Sequence, residues 1–192
     1  MTIASPVRCT WCGTDPLYIA YHDKEWGVPE HDDARLLEKI ILDGAQAGLS
    51  WITILRKREG YRAAFHQFDA ERIAKYGARD ITRLMNDERI IRNQQKVNAA
   101  VTNARAYLDL KAAGKTFDET LWQFTGGKTI QNKWKDAIPA ETDESRAMSK
   151  ELKRLGFKFV GPTICYAFMQ AIGMVNDHIV TCHRHAELSK KK

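Results

Sequence analysis

Apolar residues recur at helical spacing along most of the chain. In "DDARLLEKIILDGAQA" (32–47), Leu36, Leu37, Ile40 and Ile41 share one face, which predicts a helix. A second helix is predicted over 51–58. Asp69 caps "AERIAKYG", with Gly77 as its stop signal. Helices are also predicted over 79–86, 89–112 (ending before Gly114), 117–124, 145–155 and 161–172. The segment 126–144 is polar and reads as a long surface connection. Alternating strand segments and internal repeats are lacking, so the expected fold class is all-α. The first 30 residues are rich in aromatics but not periodic, and need something to hold them in place.

One polar residue breaks the apolar pattern. Asp43 lies seven residues after Leu36 and three after Ile40, on the apolar face of its helix. A buried carboxylate is costly unless paired, so it is either a structural ion pair or the lining of a pocket. Trp51 follows in "GLSW", and "DPLYIAYHDKEWG" supplies Tyr18, Tyr21 and Trp26. A carboxylate among aromatic rings suits a flat cationic ligand, although core packing accounts for some of the rings.

The stretch 148–173 predicts two helices joined by a turn between Gly156 and Gly161, with Pro162 in the first turn of the second. The two glycines have the spacing of a phosphate loop, but Pro162-Thr163 replaces the Lys-Ser/Thr it requires. Amides at such a helix start can hold a DNA phosphate without reading sequence. Arg146, Lys150, Lys153 and Arg154 are expected on one face leading to Lys158, with Glu144 and Glu151 turned away. Arg89, Arg92 and Lys96 form a second basic stripe. The net charge of +6 favours a polyanionic partner, though the "KKK" tail supplies part of it.

Composition narrows the class further. With 44% hydrophobic and 28% charged residues the chain is globular. It has no apolar run long enough to span a membrane and no apolar signal core at its start, so a cytoplasmic protein is expected. Its four cysteines (Cys9, Cys12, Cys165, Cys182) point to metal ligation or burial, with a Cys9/Cys12 pair as one ligand spacing. "GMVNDHIVTCHRH" (173–185) brings Asp177, His178, Cys182, His183 and His185 close together.

Four segments carry a family resemblance that covers nearly the whole chain: "DPLYIAYHDKEWGVP" (15–29), "QAGLSWITILRKREGYRAAF" (46–65), "GFKFVGPTICYAFMQA" (156–171) and "VNDHIVTC" (175–182). The chain resembles the bacterial DNA-3-methyladenine glycosylase I family of the helix-hairpin-helix superfamily. The resemblance implies a helical fold in which a damaged base is flipped into an aromatic pocket and cut off by hydrolysis, without strand cleavage. It implies a structural zinc ion on Cys9, His22, His178 and Cys182; two thiolates and two imidazoles suit a closed tetrahedral site, and Cys12 has no ligand role. His178 and Cys182, at i and i+4, are expected to share a helical face.

The pocket residues it implies are Trp11, Tyr18, Tyr21, Trp26 and Trp51, with Asp43 as the catalytic acidic group. The best-known members carry Glu there, and Asp is shorter by one methylene, about 1.5 Å of reach. Leu49 is the expected wedge filling the gap left by the flipped base, and Gly156, Lys158, Val160 and Gly161 the expected DNA contacts of the hairpin. Asn176 stands where many relatives of the superfamily carry a catalytic Asp. Asp177, one residue on, is expected to point elsewhere, and His183 and His185 to be exposed.

The chain is thus expected to be one glycosylase domain over 1–192. A zinc lobe (1–30 with 174–185) would clasp a helical core (32–173) whose hairpin lies near 152–165. Its expected partner is double-stranded DNA containing alkylated purines, bound by a monomer. The rival readings are a DNA-damage-binding protein without turnover, a glycosylase of shifted alkylpurine range, and a zinc-dependent regulator.

Overall fold

Asp32 starts the helix around which the molecule is built. Its side chain accepts from the Arg35 amide at 2.9 Å and launches α2 (Asp33–Gln46). Leu36, Leu37, Ile40, Ile41 and Leu42 on α2 are buried. The computed structural model describes residues 6–190, and its elements form a helical frame around this helix. Before it lies α1 (Pro16–Lys24). After it come α3 (Trp51–Ala64), α4 (Ala70–Ala74), α5 (Ala78–Met85), α6 (Gln94–Ala112), α7 (Phe117–Trp122), α8 (Asp143–Arg154), α9 (Pro162–Ala171) and α10 (His183–Ser189). Helices α3, α6, α7 and α9 all pack on α2.

Several elements differ from the sequence pattern, each for a local reason. Helix α1 was hidden because its apolar residues do not form one stripe. Its start is nonetheless well specified: Asp15 accepts from the amides of Leu17 (2.8 Å) and Tyr18 (3.3 Å), and Pro16 sits in the first turn. Helix α3 runs on to Ala64, because Tyr61 and Ala64 are still buried. Helix α6 begins at Gln94, not 89, because Asn93 caps it through the Lys96 amide. The connection 126–144 contains a two-residue strand, β1 (Ile130–Gln131). It runs parallel to β2 (Val175–Asn176), a pairing too short to leave an alternating signature.

The expected helical face for His178 and Cys182 is not formed. The segment between β2 and α10 is a turn, in which the Cys182 amide donates to the Ile179 carbonyl at 2.8 Å. The Val180 amide leaves the local chain altogether and donates to Trp134 at 2.9 Å.

Asp177 explains how this region is held. Oδ1 accepts from Asn132 (2.7 Å) and Trp134 (2.8 Å), and Oδ2 from Tyr166 (2.7 Å) and Gln170 (2.8 Å). It therefore fastens the 126–144 connection to α9 and has no oxygen left for chemistry. Asn176 donates to Gln131 across the strand pair and to the His185 carbonyl of α10. His183 and His185 are half-buried, each against a backbone carbonyl (Val7 at 3.0 Å, Asn132 at 2.8 Å), which corrects the expectation that they are exposed.

Gly173, at φ +74°, closes the other flank. A Cβ there would collide with the Val28 and Pro29 backbone. The close approach lets Gly27 donate to Gln170 and Glu30 to Ile172, both at 3.0 Å. The N-terminal segment is thereby laid along the end of α9.

Candidate active site and metal centre

A cavity of about 220 Å³ lies where α1, α2, α3 and α9 converge. It is lined by Trp11, Tyr18, Tyr21, Trp26, Trp51 and Asp43, with Lys39, Gln46, Ile138, Ala167 and Gln170 completing the wall. The rings form a connected box: Trp11 lies 5.0 Å from Tyr18 and 4.9 Å from Trp26, and Tyr21 lies 5.5 Å from Trp51, between ring centres. The space is below the roughly 300–1,000 Å³ of sites for drug-sized ligands, which suits one flat ring system.

Asp43 is 1% exposed. Its Oδ1 accepts from Lys39 Nζ at 2.6 Å; Oδ2 has no partner among the described residues. The indole N–H groups of Trp11 and Trp51 are likewise buried without acceptors. Buried polar atoms are normally paired, so three free ones around one cavity point to a polar ligand. Burial pushes the Asp43 carboxyl above its ordinary range, and the Lys39 charge pulls it back. Burial also lowers the Lys39 ammonium, against the pull of Asp43. The Lys39 ammonium sits 3.6 Å from the centre of the Trp51 ring.

Lys39 was missed by sequence reasoning, although a lysine four residues before Asp43 on the same helix was a readable signal. A larger cavity of about 620 Å³ lies on the other side of Lys39 and Trp51. Most of its charges are paired, among them Arg58 with Glu25 and Arg62 with Glu38.

Behind the box, Cys9, His22, His178 and Cys182 are all buried, with their ligand atoms within 4.8 Å of one another. Cys182 Sγ is 3.5 Å from both His22 Nε2 and His178 Nδ1, and Cys9 Sγ is 3.7 Å from His178 Nδ1. The cluster could hold a metal ion. A hydrogen bond from the Cys9 thiol, then the two imidazoles, hold Cys182 toward the thiolate. The outer ring nitrogens are oriented as well: His22 Nδ1 meets Asp23 at 2.7 Å and His178 Nε2 meets the Trp26 carbonyl at 3.0 Å. Asp23 is held down to about 2, chiefly by its hydrogen bond from Arg8. The alternative Cys9/Cys12 ligand pair is not formed, because the Cys12 thiol donates to the Cys9 carbonyl at 3.1 Å and lies outside the cluster.

The hairpin joins α8 to α9. Gly156 (φ +93°) and Phe159 (φ +53°) make its turn. Asn103 of α6 clamps it, accepting from the Lys158 amide at 2.7 Å and donating to the Lys158 carbonyl at 3.1 Å. Ser149 donates to the Val160 carbonyl at 2.6 Å. The amides of Phe159, Val160 and Gly161 have no acceptor among the described residues. The Val160 side chain is buried, so that residue offers only its amide, whereas Lys158 offers only its exposed side chain. Gly156 is half-buried in the turn and Leu49 is 40% exposed beside Trp51. Phe159 packs on α2 at Gly44, where an added Cβ would lie 3.2 Å from its own Cβ.

The two basic stripes are only partly free. Arg154 pairs with Glu151 at 2.6 Å, so Glu151 does not turn away from that face. Arg146 pairs with Asp143 and Glu141. Arg89 and Arg92 precede α6 and pair with Asp87 and Glu88. Lys96 donates to the carbonyls of Ala45 and Ala47 and caps α2. Lys150, Lys153 and Lys158 remain exposed along the hairpin.

A helical frame with a hairpin beside an aromatic cavity, and a carboxylate inside it, is the construction of a DNA glycosylase. The family model described as methyladenine glycosylase matches residues 11–185, and the chain belongs to that family. It is 54% identical over 177 residues to DNA-3-methyladenine glycosylase 1 of Escherichia coli (strain K12), covering 91% of this chain and 95% of that protein. A crystal structure of 3-methyladenine DNA glycosylase I superposes with a TM-score of 0.91 at 52% identity, covering 92% and 98% of the two chains. A structure describing 3-methyladenine recognition by the Staphylococcus aureus enzyme gives 0.88 at 36% identity, covering 92% and 95%.

Proposed function

We propose that this protein removes 3-methyladenine from alkylated double-stranded DNA by hydrolysis, leaving an abasic site. The observation that carries this reading is the free Oδ2 of Asp43 inside the aromatic box. An N3-methylated adenine is cationic within the strand and has flat faces and an amino edge. Tyr18, Tyr21, Trp11, Trp26 and Trp51 would enclose the faces, and Asp43 would accept from the edge. Water adds to C1′ and gives up one proton to solvent, the C1′–N bond breaks, and its electron pair leaves with the base and cancels the base's charge. The residues need to bind, orient and neutralise more than to activate, because the leaving group is already good.

Leu49 would fill the gap left by the flipped base. The free amides of Val160 and Gly161, presented by the Gly156 turn, would hold a phosphate beside Lys158. Cys9, His22, His178 and Cys182 would hold a zinc ion. A tetrahedral zinc with the usual bond lengths places sulfur and nitrogen donors about 3.6 Å apart, close to the 3.5–3.7 Å found here. The metal would supply structure, not chemistry, because all four positions are taken. The same reading takes the chain as one helix-hairpin-helix glycosylase domain acting as a cytoplasmic monomer. No helix among the described residues is long and apolar enough to cross a membrane.

The test is chromatography of bases released from methylated duplex DNA. Release of 3-methyladenine by the native protein, with a large loss in Asp43→Asn, is the expected result. Binding of the DNA without any release would overturn the proposal in favour of a damage-binding protein.

A further inference from the structure

Asp43 shares its cavity with a cation. Lys39 lies one helical turn earlier on α2, with its side chain only 16% exposed and its Nζ 2.6 Å from Oδ1. The same ammonium stands 3.6 Å from the centre of the Trp51 ring. It is therefore fixed from two sides, by an aromatic ring and by a carboxylate oxygen. With Oδ1 occupied, Oδ2 is the oxygen left for a ligand, and it has no partner.

The surrounding helices offer no substitute. Helix α1 presents Tyr21, the residue just after it is Glu25, α3 presents Arg58, and α9 presents Cys165. Arg58 is engaged by Glu25 at 3.0 Å. Gln170 of α9, also in the cavity wall, gives its amide nitrogen to Asp177. The cation in contact with Asp43 is thus Lys39.

We propose that Lys39 is a positioning residue of the base pocket, which holds Oδ1 of Asp43 and turns Oδ2 to the flipped base. The inference rests on the glycosylase reading and deepens it. It also gives the shorter acidic side chain a local support, since a pinned aspartate cannot swing away from its ligand. The pair is neutral as a whole, so the base meets a directed acceptor and not a net negative pocket.

The experiment compares the native protein with Lys39→Met and Lys39→Arg. The Asp43 carboxyl is titrated by carbon NMR in free protein carrying carboxyl-labelled aspartate. In parallel, kcat/KM for 3-methyladenine release from methylated duplex DNA is measured against pH. In Lys39→Met the Asp43 titration and the acid limb of the rate profile are expected to move up together by at least about one pH unit, the scale of a neighbouring charge. Lys39→Arg returns both toward the native values.

An unchanged titration, or an activity lowered by one factor at every pH, would overturn the proposal and leave Lys39 a structural ion-pair partner. If Lys39→Met does not fold, Lys39→Gln is read in the same way. The titration needs no substrate, so it decides the pairing even if methylated DNA proves not to be cleaved. In that case the glycosylase reading fails on its own account.

Discussion

The imidazole of His178 stands edge-on to the indole of Trp26, 4.6 Å between ring centres, with Nε2 3.0 Å from the Trp26 carbonyl oxygen. One side chain thus belongs to the candidate metal cluster and braces a wall of the base pocket. Trp11 is braced similarly, 5.3 Å from the His22 ring. Loss of a metal held by the cluster, as proposed, should therefore be felt in the pocket. His178→Ala, or chelation, is expected to lower Tm by more than about 10 °C, given that ~1 kcal/mol shifts a chain of this size by roughly 2–4 °C. Tryptophan fluorescence should change in step, and Cys12→Ser should leave the metal content of the native protein unchanged. Scanning calorimetry and metal analysis check both.

The Lys39–Asp43 pair should be a burden on stability. Removing one member leaves the other charge buried alone, which costs about 3–5 kcal/mol; replacing both with apolar groups is often neutral or stabilising. Lys39→Met is expected to destabilise, and Lys39→Met with Asp43→Leu to regain most of that loss while abolishing base release. Urea unfolding of the two single variants and the double variant gives the coupling.

The free lysines of the hairpin should carry the DNA contacts. Lys158→Ala and Lys153→Ala are expected to weaken duplex binding and reduce the salt slope by about one each. Arg154→Ala and Arg89→Ala should do less, because those guanidinium groups are already held by Glu151 and Asp87. Fluorescence anisotropy at several salt concentrations separates the two sets.

Asn103 should matter for binding although it faces the interior. Asn103→Ala leaves the Lys158 amide without its acceptor and loosens the turn that presents the free amides. A loss of about 1–3 kcal/mol in stability is expected, with weaker DNA binding and unchanged affinity for free 3-methyladenine. Titration calorimetry with the free base and anisotropy with duplex DNA test this.

Alkaline pH should unfold the protein early. Burial pushes the Cys165 thiol up to about 12 and the Tyr61 hydroxyl up to about 12. Both groups are held neutral in the fold, so their contribution is complete below their unfolded values, about 8.5 and 10, and is lost as pH rises toward 12. The urea midpoint is expected to be flat to about pH 8 and to fall beyond it, less steeply in Cys165→Val.

Periodicity alone placed Asp43 on a buried face, because the i, i+3, i+7 arithmetic of one helix needs no knowledge of its neighbours. The basic stripes failed for the same reason. The arithmetic does not register that Lys96 reaches across to the end of α2, or that Glu151 sits one turn from Arg154. Asn103 left no signal at all, since its partner is 55 residues away and the contact is with backbone. The turn holding His178 and Cys182 was read as helix because the Val180 amide is taken by Trp134, from a segment that looked like free surface. Tyr18, Tyr21, Trp26 and Trp51 were legible from the residues, but Trp11 and the candidate metal ligand set became so only through family resemblance, which carries long-range information that spacing does not.

The cluster of Cys9, His22, His178 and Cys182 also sets an order of events during synthesis. Trp11 and Trp26 are among the first residues made, and Asp43 follows soon after. Their brace is made much later, when His178 and Cys182 leave the ribosome. A nascent or truncated chain ending between Trp51 and His178 has every ring of the pocket and the acidic group, but not the brace against two of the walls. The walls at Trp11 and Trp26 thus gain this support from residues far along the chain from the rings themselves.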